Sequence, residues 1–211
     1  MKRVLIEPHY LPSLEYFCAV LPFDEILLEK HEHFVKQTNR NRCYLNTSQG
    51  VVMLTVPLAG KHSKANLKDI RIDHSKKWQN NHWRTIESAY RKAPFFEYYE
   101  QPLQQILFKQ HEFLFEMNCE LLSFCLQNLN LPHHIAETLT YEKTAAEDVI
   151  DLRSLIACKK TFSNSVYYQA IPYYQVFGNT FVPNLSVIDL LFCEGPNSKS
   201  LLLRSMGNTN K

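Results

Sequence analysis

Three groups of side chains in this chain of 211 residues have the types and spacing to do chemistry. The first is Glu7-Pro8-His9-Tyr10-Leu11-Pro12. A carboxylate beside an imidazole serves as orienting partner and general base, and the two prolines stiffen the loop at little entropic cost. Glu7, His9 and Tyr10 are therefore candidate site residues; the alternative is a rigid turn with His9 in solvent. The second group is Lys36 with Asn39-Arg40-Asn41-Arg42, continued beyond a hairpin by Lys61-His62-Ser63-Lys64. Arginine offers phosphate oxygens a planar fork and lysine a point charge, so Lys36, Arg40, Asn41, Arg42, Lys61 and His62 read as a phosphate site. The competing reading places Arg40 and Arg42 on one face of a strand, paired with acidic residues of the flanks. The third group is Trp78, His82, Ile86 and Tyr90, one residue per helical turn. Trp78 and Tyr90 expose flat faces that stack on sugars or bases, and His82 is the proton carrier among them. An aromatic stripe of this kind otherwise belongs to the core.

A later segment, Phe181 to Leu191, sets Ser186 and Asp189 among apolar residues. Ser186 as N-cap with Asp189 three residues on reads as a capping box; alternatively Asp189 reaches a pocket and pairs with a basic residue. Metal binding has little support. His31-Glu32-His33 lacks a third ligand nearby, and Phe115 stands where the zinc-protease spacing from His111-Glu112 requires His.

Several classes are excluded outright. The five glycines lie at least ten residues apart, so neither glycine-rich phosphate loop can be written. No two of the six cysteines are close enough for a C-x-x-C motif, and they read as reduced thiols. No G-x-S-x-G elbow occurs. No apolar run is long enough to span a membrane, and the first residues lack the apolar stretch of a secretory signal, so a cytoplasmic protein without a membrane partner is expected.

The formal net charge of +2 hides an uneven distribution. Lys30 to Lys92 holds 13 Lys and Arg against 4 Asp and Glu, whereas both flanks are acidic. A basic middle between acidic flanks points to an anionic ligand or to a solvated lysine-rich face. Nucleic acid is not expected, because the pI of about 8.2 is modest and no binding motif appears.

The elements that must position these residues follow from periodicity. Val4 to Glu7 reads as a buried strand ending at Pro8, Ser13 to Leu21 as a helix closed by Pro22, and Glu25 to Leu28 as a second strand, together a βαβ unit. Arg42 to Leu45 and Val51 to Val56 flank a turn and predict an antiparallel hairpin. Ile70 to Ile72 reads as a strand, and Ser75 as the cap of a helix reaching Ala93. From Leu103 to Cys125 the apolar stripe is helical. Ile135 to Tyr141 predicts a strand, Val149 to Ala157 a short helix, and Val187 to Phe192 either a helix or a strand. The expected architecture is α/β, a mainly parallel Rossmann-like sheet with an antiparallel hairpin and a helical lobe over about 75–130. A single domain over 1–205 precedes an expected disordered tail, 206–211.

Pro8-His9-Tyr10-Leu11-Pro12 with Tyr16-Phe17, Arg40-Asn41-Arg42, Leu54-Thr55-Val56-Pro57, Trp78 with His82, Ala89-Tyr90 with Lys92-Ala93-Pro94-Phe95-Phe96, and Asn184-Leu185-Ser186 with Asp189-Leu190-Leu191 occur in this order. On these residues the chain resembles the WbqC-like protein family from about Arg3 to Leu203. The resemblance implies a bacterial protein of surface-polysaccharide (O-antigen) synthesis, a transferase placing an acyl or aminoacyl group on an amino sugar, and it adds Lys92 to the candidate binding residues. The partner so implied is a sugar nucleotide or other phosphorylated small molecule, with no cofactor. A non-catalytic module that binds a phosphorylated or anionic partner is the alternative.

Overall fold

The computed structural model describes residues 1–60, 64–131, 134–156 and 165–207. Strand β1 (Arg3–Ile6), helix α1 (Leu14–Val20) and strand β2 (Glu25–Leu28) open the chain. Val4, Leu5 and Ile6 are buried, and Pro8, lacking an N–H, prevents the ladder from continuing. The Ser13 hydroxyl accepts the Tyr16 N–H and so caps α1, every residue of which is buried. β1 and β2 run parallel from Arg3↔Glu25 to Ile6↔Leu28, the predicted βαβ unit.

Strands β3 (Arg42–Thr47) and β4 (Gly50–Thr55) form the expected antiparallel hairpin, a sheet of its own. Gly50 closes its turn at φ +94°, a conformation that costs glycine little. The helical lobe comprises α2 (Trp78–Tyr90), α3 (Phe96–Phe108) and α4 (Leu114–Asn128). α2 begins later than predicted, because the Ser75 N–H donates to the Asp73 side chain in a turn and Lys77 occupies the cap position. Residues 70–72 make only isolated bridges, Leu58↔Ile72 and Arg71↔Phe113, instead of a strand.

The parallel sheet is completed by β5 (His134–Glu137) and β6 (Val149–Asp151), in the order β5-β2-β1-β6. β6 stands where a helix was expected. Its apolar residues satisfy a helical spacing, but β1 needs a partner on its second edge, and Val149, Ile150 and Asp151 pair there with Arg3, Val4 and Leu5. The undecided segment is helix α5 (Val187–Glu194), followed by α6 (Ser198–Arg204). α5 stops at Gly195, where φ is +49° and an added Cβ would lie 2.5 Å from the Phe95 ring, so no side chain fits. Two residues of the expected tail, Met206 and Gly207, are held in the fold. Met206 bridges to Tyr168 and the Gly207 N–H donates to the Tyr167 carbonyl, leaving 208–211 outside the described residues.

Most of the recurring sequence pieces are joints of this fold. The Tyr10 N–H donates to Asn39, Leu14 to Leu185, Val187 to Pro12, Ser186 to Tyr44 and Phe95 to Phe192, all through backbone carbonyls. One apolar core runs from β1 and α1 through the hairpin to α2, α4 and α5.

Candidate functional site

Charged side chains gather where the parallel strands end. Glu7 follows β1, Glu29 follows β2, Thr138 follows β5, and Arg153 and Ser154 follow β6, so all reach the carboxyl edge of one sheet. The strand order turns about β1, the place where open α/β sheets hold their ligands. Glu7 Oε1 lies 3.3 Å from His9 Nε2 and 3.2 Å from Arg40 Nη2, and Glu7 Oε2 accepts the Ser154 N–H at 2.9 Å. Arg40 also donates from Nε and Nη2 to Glu32 Oε1, at 2.9 and 2.6 Å. Glu29 accepts the His31 N–H and the Thr138 hydroxyl, and pairs with Arg153 at 3.0 Å. Arg153 in turn grips Asp151 through Nε and Nη2.

The electrostatics of the two carboxylates on Arg40 differ. Burial alone would raise the Glu7 carboxyl, but the hydrogen bond and charge of His9, the charge of Arg40 and the Ser154 N–H outweigh it and hold it at about 2. Burial raises Glu32 to about 7 against the pull of Arg40, with the charge of Glu7 adding to the rise. Asp151 lies below the usual range, because the Arg153 hydrogen bonds overcome its partial burial.

His9 is the chemically distinctive member. Its ring packs 4.9 Å from the Tyr16 ring, and both residues are sealed, at 1% and 0% exposure. With Nε2 on Glu7, His9 Nδ1 has no partner among the described residues, and neither has the Tyr16 hydroxyl. A buried imidazole oriented by a carboxylate at one nitrogen, with the other nitrogen unpartnered among the described residues, has the bonding pattern of a positioned base. Leu11, two residues after His9, sits at φ +43°, and Ser154, which touches both Glu7 and Arg40, at φ +58°. Side chains in that region store strain, which clusters at functional sites. Cys119 is no rival nucleophile, because burial pushes its thiol up to about 12.

The other predicted residues are placed differently. Arg40 is nearly fully buried, with Nε and Nη2 committed to Glu7, Glu32 and Ser154, so it serves an internal ion-pair cluster. His82 accepts from the Tyr10 hydroxyl at Nδ1 (2.9 Å) and bonds the Thr55 carbonyl. Burial lowers it to about 4, the Thr55 carbonyl opposing, so at neutral pH it is uncharged and fully bonded rather than a proton carrier. Trp78 packs edge-on to His82 at 5.0 Å. The Tyr90 hydroxyl donates to Asp189 at 2.8 Å, and Asp189 also accepts from Tyr173 and Gln175. Among the described residues Asp189 thus has only neutral donors and meets no basic residue; burial raises its carboxyl, and it completes no capping box, since α5 lacks a side-chain cap. Asn41 bonds the Val56 carbonyl, while Lys36 and Lys92 are exposed. Lys61 and His62 lie outside the described residues. The convergence of Arg40 with His82 in one phosphate-binding hollow is therefore replaced by two separate neighbourhoods, linked through His9 and Tyr10.

Glu29, Asp151, Arg153 and Ser154 were not foreseen, while Glu32 figured only in a weak metal motif and Tyr16 only in the family resemblance. Glu29 is the first polar residue after an apolar strand, the same signal that singles out Glu7. Arg153 gave no such signal, because its strand reads as a helix. Among the described residues no helix is long and apolar enough to cross a membrane.

The model of the WbqC-like protein family matches residues 7–170 and 141–201, and the chain belongs to that family. It is 28% identical to the uncharacterized protein Rv1507c of Mycobacterium tuberculosis, over 96% of this chain and 98% of that one. No solved structure matches it.

Proposed function

We propose that this protein is a sugar-nucleotide-dependent transferase that places an acyl or aminoacyl group on the amine of a nucleotide-linked sugar, in the synthesis of a bacterial surface polysaccharide. The observation that carries the reading is the Glu7–His9 pair at the end of β1, with His9 Nδ1 sealed and without a partner. In the transfer step the amine nitrogen bonds to the donor's carbonyl carbon, and the leaving group departs with its electron pair. The proton shed by nitrogen goes to His9 Nδ1, and Glu7 stabilises the imidazolium that results.

Charge balance supports an amine acceptor. Among the described residues, the carboxyl groups of Glu7, Glu29, Glu32 and Asp151 face two guanidinium groups, Arg40 and Arg153, and the His9 imidazole at this edge of the sheet, with Glu32 partly protonated at neutral pH. An excess of carboxylates attracts an ammonium group and repels a bare phosphate.

Calorimetry with a panel of nucleotide sugars, free amines beside their N-acetylated forms, tests the reading. The expected result is tighter binding of the free amines, and acyl transfer that falls about 10²- to 10⁴-fold in His9→Gln. The absence of heat or thermal shift with every member, at high protein concentration and low salt, would remove it. Binding without any dependence of turnover on His9 would leave a non-catalytic module.

A further inference from the structure

We propose that the first turn of α2 and the facing strand β3 form a binding site for a phosphate-type oxyanion, built from Arg42, Trp78 and Gln79. The site lies apart from Glu7 and His9 and does not depend on the transfer chemistry assigned to them.

α2 has 13 residues, starts at Trp78 with Lys77 in the cap position, and has no side-chain cap. The backbone N–H groups of such a first turn point outward with the positive end of the helix dipole behind them. An uncapped helix end is common; the side chains around this one are not. Trp78 Nε1, Gln79 Nε2 and Arg42 Nε are all buried and all lack an acceptor among the described residues. Trp78 is 4% exposed and Gln79 8%.

Three contacts bring the start of strand β3 beside the first turns of α2, the two elements that carry these donors. Arg42 pairs with Thr55 across the hairpin, the Thr55 carbonyl bonds the His82 ring, and the Trp78 ring lies 5.0 Å from that ring. Arg42 differs from Arg40 in having no carboxylate partner among the described residues, and it is only half-buried. Lys76 and Lys77 are exposed beside the turn, and the neighbouring carboxylate, Asp73, is occupied by the Ser75 N–H.

Every orphan in this group is a donor. Buried donors are costly to leave unpaired, and a surplus without acceptors calls for a ligand rich in oxygen lone pairs. A phosphate-type group supplies several oxygens and a charge opposite to the guanidinium, and the indole N–H and the carboxamide complete a polar cradle. This chemistry is shared by inorganic phosphate, pyrophosphate and a nucleoside diphosphate.

The chain has two tryptophans, so its indole N–H region in a proton–nitrogen correlation spectrum holds a reporter, Trp78, and an internal reference, Trp83. Inorganic phosphate, pyrophosphate and UDP are titrated separately at constant ionic strength. The expected result is a saturable shift of the Trp78 indole resonance with at least one of them, Trp83 unmoved, and affinity lowered about tenfold or more in Arg42→Gln. Response to UDP alone would identify a nucleotide as the source, and equal response to phosphate a free anion. If Arg42→Gln does not fold, Gln79→Glu, which sets a carboxylate at the turn, is to weaken the same titration. No saturable Trp78 shift at millimolar ligand, or a shift of unchanged affinity in the folded variant, overturns the proposal.

Discussion

His9 and His82 are both nearly sealed from solvent, and Tyr10 joins their neighbourhoods through its backbone and its hydroxyl. His82 has Tyr10 on one nitrogen and the Thr55 carbonyl on the other, and burial keeps it neutral. His9 has Glu7 on one nitrogen and, among the described residues, no partner on the other. The same contrast holds for carboxylates. Asp189 is buried among two tyrosines and a glutamine and is pushed up, whereas Glu7 is equally buried beside His9 and Arg40 and is held at about 2. Burial alone does not mark a functional site; the kind and completeness of the partners do. Between α2 and α5, His82 and Asp189 are each ringed by neutral partners and fully bonded, as a structural joint needs, while the sheet edge gathers paired charges around a half-bonded imidazole.

The severest way to break this contrast is to remove Arg40. Arg40→Leu leaves Glu7 and Glu32 buried without their shared cation, and urea unfolding is expected to show a loss of about 3–5 kcal/mol. A loss below about 1 kcal/mol would mean that the cluster is solvated and the contrast false.

Acid unfolding sharpens the histidine half. His82 titrates near 6.5 when unfolded and near 4 when folded, so its contribution is present above pH 6.5 and is lost as pH falls toward 4, by up to about 3 kcal/mol. Glu32 acts oppositely: its carboxyl rises from 4.5 to about 7, so it destabilises the fold as pH rises through that window. Wild-type stability measured from pH 7 to pH 4 is therefore expected to fall less than His82 alone would require. His82→Gln should flatten or reverse that limb, and Glu32→Gln should steepen it. Unchanged slopes in both variants would show that neither group carries the shift.

The smallest expected effect tests the orphaned hydroxyl. Tyr16→Phe deletes a buried group that has no partner, so stability should stay within about 0.5 kcal/mol of wild type or rise. A loss above about 1.5 kcal/mol would reveal a bonded hydroxyl and weaken the case for an open polar position beside His9.

Much of the local structure was legible. The proline at position 8, the serine cap at position 13 and the apolar runs predicted β1, α1 and β2, and the turn residues predicted the hairpin, because these signals act over a few residues. The strand at 149–151 was not, since three residues fit a helix as well as a strand and only the free edge of β1 chooses between them. The candidate site was partly legible. Glu7 and His9 stand at a strand end in any reading of their neighbours. Arg40 and His82 were placed among ligand-binding and proton-carrying groups because nothing local tells a free cation from one already paired, or an open imidazole from a satisfied one.

Residue types and short-range spacing determined which elements form, which loops are stiff and where basic charge concentrates. Only the tertiary structure decided that Arg40 spends its charge on Glu7 and Glu32 while Arg42 meets no carboxylate among the described residues. The physical reason is that hydrogen bonds and ion pairs are settled between side chains far apart in the chain, over distances of about 3 Å that no periodicity encodes.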